Sequence, residues 1–67
     1  MKPQIDQVIE LLRDGKWHTI REISQKCKLH EFKTEILTEF LSDYSFLMVN
    51  KKEKKAKLSR AFIEFLK

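Results

Sequence analysis

Sixty-seven residues make one domain at most, spanning 1–67, and so small a core contributes only roughly 3–5 kcal/mol net, so every apolar side chain is needed inside or at an interface. With 42% hydrophobic and 36% charged residues, one Gly, one Pro and a net charge of +4, the chain reads as globular, with little room for disorder or linkers. Its longest apolar run is Phe46–Val49 and its only cysteine is Cys27, which argues against a membrane span, a signal-peptide core and an intrachain disulfide, and makes a cytoplasmic protein the expectation.

Pro3 is placed to open a first helix, with Ile5, Val8, Ile9 and Leu12 as its apolar stripe and Leu11 widening it. Asp14-Gly15 ends that helix, Gly15 being free to take the left-handed conformation. Trp17 and Thr19 alternate with polar neighbours as a very short strand would; Trp17 is expected in the core and His18 on the surface. Thr19-Ile-Arg-Glu22 has the form of a capping box, and Ile20, Ile23 and Cys27 then give a short second helix its buried face. Cys27 and His30 lie three apart, but two ligands without a second pair do not make a metal site.

After a turn pivoting on Leu29, a third helix begins behind His30, a mediocre cap. Phe32, Ile36, Phe40 and Tyr44 recur every four residues with Leu37 and Leu41 alongside, which predicts an amphipathic helix whose outward face carries Glu31, Thr34, Glu35, Thr38, Glu39 and Ser42. Phe46–Asn50 reads as a strand, Lys51–Lys55 as a basic turn, and Ala56–Leu58 as the returning strand. Ser59 caps a last helix, Arg60–Lys67, apolar round more than half its circumference. That helix is expected either to pack deeply on the first helix or to be covered by another chain.

Charge is distributed unevenly. Met1–Asn50 carries a balance of −1, and Lys51–Lys67 a balance of +5, which points to an anionic partner. No nucleophile–base pair, carboxylate constellation or Gly-rich phosphate loop is evident in the sequence, so neither catalysis nor a cofactor is expected, and no small-molecule substrate.

Helix, short strand, helix, tight turn, helix, two strands and a final helix is the order of elements in the winged-helix fold. Gly15, Thr19, Glu22 and Ile23 resemble that family's rhythm at the first strand and second helix, and Leu41, Ser45, Phe46 and Leu47 resemble its exit from the recognition helix. The whole chain is similar to small archaeal and bacterial transcription-regulator domains. The fold class implied is α+β, a small winged helix-turn-helix with a three-helix core, a two- to three-stranded β-wing and a C-terminal helix. The resemblance further implies a recognition helix at about Glu31–Ser42, a wing at about Lys51–Lys55, and duplex DNA as ligand.

On this reading Lys51, Lys52, Lys54, Lys55 and Lys57 anchor phosphates, while Lys33, Thr34 and Thr38 supply modest sequence preference; such a protein would be nucleoid-associated. Lys26 and Lys28 are further phosphate contacts. Phe62, Ile63, Phe65 and Leu66 are the expected homodimer interface, with the Phe46–Val49 run, apolar on both strand faces, adding to it. Glu31, Glu35 and Glu39 fall within about an 80° arc and oppose duplex phosphates, so the alternative is a protein-interaction module that docks a partner on an acidic helix face. RNA binding is a third expectation, without evident exposed aromatics to stack on single strands.

Overall fold

The computed structural model describes residues 4–66; Pro3 as helix opener and Lys67 as helix end lie outside that span. The architecture is α+β, helices and a three-stranded antiparallel sheet in an order compatible with a small winged-helix-like fold. Its elements are α1 (Gln4–Leu12), β1 (His18–Thr19), α2 (Ile20–Lys26), α3 (Glu31–Asp43), β2 (Leu47–Asn50), β3 (Lys55–Leu58) and α4 (Arg60–Leu66).

Local chemistry sets the boundaries. Gly15 takes φ +75°, a left-handed backbone that favours glycine, while a Cβ there would reach no more than van der Waals contact with Ile63 Cδ1 on α4 at 3.4 Å. Thr19 caps α2 by accepting from the Glu22 amide at 3.0 Å, a contact worth about 1 kcal/mol. The Glu22 carboxylate does not complete the box; it accepts from His18 Nδ1 instead. Ser59 caps α4, accepting from the Phe62 amide at 3.2 Å while donating to the Ser45 carbonyl at 2.7 Å. His30 makes no side-chain cap to α3, as a poor capping residue should not.

The C-terminus of α3 is closed by a paired motif: Phe46 N–H donates to Leu41 C=O and Ser45 N–H to Ser42 C=O, with Ser45 left-handed at φ 65°. That motif swings the chain straight into β2. The sheet is antiparallel in the order β1-β3-β2, with Leu47 opposite Leu58 and Val49 opposite Ala56 on its inner face. Met48 and Lys57, then Asn50 and Lys55, pair on the outer face. The Ile20 amide donates to the Lys54 carbonyl at 2.8 Å and ties the hairpin to the start of α2.

The core is Val8, Leu12, Ile23, Cys27, Leu41, Leu47, Ala56 and Leu58, with Leu11, Leu29, Leu37, Val49, Phe62, Ile63 and Leu66 packed against it. The terminal helix therefore lies on this domain's own core. Of its four expected dimer residues Phe62, Ile63 and Leu66 are half-buried there, and only Phe65 projects, at 79% exposure.

Two expectations are overturned. Trp17 is not a core residue; it is 38% exposed, standing just before β1 with Lys55 and Lys57 over its ring while Ala56 and Leu58 occupy the interior. The second is the orientation of α3. Phe32, Ile36, Phe40 and Tyr44 are half or more exposed, while Thr34 and Thr38 are wholly buried. The helix is turned so that Thr34, Leu37, Thr38 and Leu41 face inward. Each threonine hydroxyl donates to a carbonyl of its own helix (Thr34 to His30 at 2.9 Å, Thr38 to Glu35 at 3.1 Å), so it enters the interior with its polarity satisfied.

Candidate nucleic-acid interface and the outer face of α3

The hairpin is built to project lysines. Asn50 Oδ1 accepts from the Glu53 amide at 3.0 Å, which bends residues 51–54 into a tight turn, and Lys54 at φ 54° completes the reversal. Lys51, Lys52 and Lys54 stand exposed at the tip. Lys55 and Lys57, two apart on β3, share the outer sheet face, where their ammonium groups lie 5.6 and 5.0 Å from the centre of the Trp17 ring. The indole thus holds two cations on one face, each contact worth about 0.5–1 kcal/mol at an exposed site.

The wing is also braced to α3. Lys51 Nζ lies 3.3 Å from Glu39 and Lys54 Nζ 4.0 Å from Glu35, and Arg21 Nε donates to Glu31 at 3.1 Å from the α2 side. Lys55 pairs with Glu53 at 2.7 Å. All three carboxylates expected on the solvent face of α3 therefore lie on its edge toward α2 and the hairpin, each paired with a cation of this domain. The acidic edge is thus offset by cations of the same domain while its carboxylates stay about half exposed. The pairs themselves are weak: with lysine side chains 75–78% exposed, each contributes about 0–1 kcal/mol, so a phosphate can compete for the lysine.

The expected base-contacting residues divide. Lys33 is exposed in the first turn of α3, whereas Thr34 and Thr38 have no exposed surface and cannot touch a base. Lys26 and Lys28 are exposed at the end of α2, with Lys26 paired to Glu22 at 3.5 Å.

The outermost face of α3 is instead apolar. Phe32 is 72% exposed, Ile36 53%, Phe40 50% and Tyr44 61%. Ring contacts carry the patch onward from Phe40 through Tyr44, Phe46 and Phe62 to Phe65, with successive centroids 5.1, 6.2, 4.8 and 6.0 Å apart. A groove of about 420 Å³ opens beside it between α1 and α3, lined by Gln4, Ile5, Lys33, Ile36, Leu37 and Phe40. Reading α3 by its four-residue apolar stripe hides this surface, although the tighter 34-37-38-41 spacing is the better helical match to a buried face.

His18 is likewise not a surface residue. Its side chain is 11% exposed and its ring is held between two carboxylates, Glu22 Oε2 on Nδ1 at 2.9 Å and Asp14 Oδ2 on Nε2 at 2.9 Å. Burial opposes the ring's charge as the largest single effect, but the hydrogen bonds to Glu22 and Asp14 with their charges together outweigh it and hold the pKa above the usual value. Glu22 is lowered mainly by its bond to His18; Asp14 is lowered first by the Lys16 amide and then by His18. Burial pushes the Cys27 thiol up, away from the thiolate a nucleophile requires.

The sequence matches no family model and no curated protein.

Proposed function

We propose that this winged helix-turn-helix domain binds duplex DNA through its hairpin and outer sheet face, and that α3 does not read the major groove. One observation carries the reading: Lys51, Lys52, Lys54, Lys55 and Lys57 are gathered on a single hairpin, two of them set on the outer sheet face by Trp17. Such a cluster recognises phosphate rows without reading base edges, so the binding is electrostatic and weakly sequence-selective. An apolar outer face on α3, flanked by a carboxylate edge, offers nothing to the donor and acceptor pattern of base pairs. Transcription regulation or chromosome packing is the role this chemistry suits.

The test maps the surface. Fluorescence anisotropy with a labelled random-sequence duplex should show binding that is lost when Lys51, Lys52, Lys54 and Lys55 become Gln. It should persist, with its salt dependence intact, when the exposed Ile36 becomes Gln. Loss with Ile36→Gln and not with the hairpin variant would place the duplex on α3 and overturn the proposal.

A second reading, a protein-interaction module, is favoured by a different observation, the exposed Phe32–Tyr44 stripe. The two readings use different surfaces and can hold together.

A further inference from the structure

We propose that the outer face of α3 is the interface between two copies of this chain, packed with their α3 helices antiparallel about a two-fold axis. The patch is large for so small a protein. Four side chains at 50–72% exposure on one helix stripe amount to roughly 450 Å² per copy at the usual 150–250 Å² for such groups. With the ring ladder at one end and the groove beside it, two copies together reach about 1,000 Å², the lower bound for a specific interface. A lone domain exposing this surface would associate unspecifically.

The face carries its own complement. An isologous two-fold makes each residue meet its symmetric counterpart. Centred on Thr38, the antiparallel arrangement sets Phe32 level with Tyr44 of the second copy and Ile36 level with Phe40. It also sets Lys33, exposed in the first turn, level with Asp43, exposed in the last turn. The stripe is therefore apolar along its middle, with a cation at one end and an anion at the other, and antiparallel packing joins opposite charges at both ends. Opposed helix dipoles favour the same direction. Each copy's groove lies beside Ile36 and Phe40, ready to take a side chain from its partner.

The arrangement has a consequence for the hairpins. A two-fold of this kind lies between the helices and across their axes, so a given lateral edge of α3 falls on the same side in both copies. Glu35 and Glu39 mark the edge that touches the hairpin. Both hairpins thus flank one side of the pair, placed to grip one duplex at two points, and the second contact is then intramolecular.

Sedimentation of the full chain from about 5 to 500 µM tests this, since that span brackets the affinity expected of a minimal interface. The wild type should dimerise, and Phe40→Glu, an exposed change that leaves circular dichroism unaltered, should weaken the dimer about tenfold or more. Lys33→Asp alone or Asp43→Lys alone should also weaken it, and the double charge swap should restore it. A wild type that stays monomeric throughout, or a dimer indifferent to Phe40→Glu and to the swap, would overturn the proposal. DNA binding by the Phe40→Glu monomer reports on the hairpin separately, so failure of one idea is not failure of the other.

Discussion

At the scale of single residues, three positions show how small chemical differences are used. Ser45 holds a left-handed backbone at φ 65° to close α3, a conformation that costs an L-residue about 1–2 kcal/mol and glycine far less. Allowing for the entropy glycine loses on folding, Ser45→Gly should stabilise by about 0.5–1 kcal/mol and raise the melting temperature by roughly 3–8 °C. A fall in calorimetry would mean that the Ser45 side chain makes a contribution larger than the strain. His18 ties the end of α1 to the start of α2 through Asp14 and Glu22. Its raised pKa means its contribution is complete below the ordinary value of 6.5 and is lost as pH climbs through the higher folded value. The lowered carboxylates contribute above their ordinary 3.8 and 4.5 and lose that as pH falls through their folded values. The cluster therefore stabilises most between 4.5 and 6.5. Thermal melts should show the wild type losing part of its advantage over His18→Gln as pH rises from about 6 to 8, and a constant difference would contradict the assignment. Thr38, buried and bonded to its own helix, should tolerate Val with DNA affinity unchanged, whereas a base-contacting threonine would not.

At the scale of elements, α3 is where sequence and structure part. Helix positions, both hairpin strands, the Thr19 and Ser59 caps and the Gly15 turn follow from propensity and spacing, because each is decided within a few residues. The rotation of α3 is not decided locally. Two stripes compete on it, and the more hydrophobic, Phe32-Ile36-Phe40-Tyr44, loses the interior to Thr34, Leu37, Thr38 and Leu41, whose compact side chains fit against α2 and β2. Threonines that satisfy their own hydroxyls read as polar in a sequence and pack as apolar in a core. Trp17 and His18 were hidden for a related reason: one needs the β3 lysines beside it and the other two carboxylates, all brought together by the fold. The carboxylate edge of α3 leads to a prediction of its own. Glu35 and Glu39 occupy Lys54 and Lys51 and repel phosphate, so changing both to Gln should tighten duplex binding several-fold at low salt. Weaker binding would show that the pairs hold the wing in its binding pose.

At the scale of the whole molecule, the domain presents two chemically distinct surfaces. The hairpin and outer sheet face gather Lys51, Lys52, Lys54, Lys55 and Lys57, and the outer face of α3 gathers Phe32, Ile36, Phe40 and Tyr44. Among the described residues no helix is long and apolar enough to cross a membrane. The core between the surfaces is slim, and Leu41, 3% exposed where α3 meets the rest, should cost about 2–5 kcal/mol as Ala, enough to unfold most of the protein at room temperature. The central claim is that the hairpin lysines engage phosphates, and the salt dependence of duplex binding addresses it most directly. Log K plotted against log salt should fall linearly for the wild type. Its slope should shrink by about 0.9 for each hairpin lysine changed to Gln that had contacted a phosphate. A slope that stays the same when Lys51, Lys52, Lys54 and Lys55 are all neutralised would contradict the account.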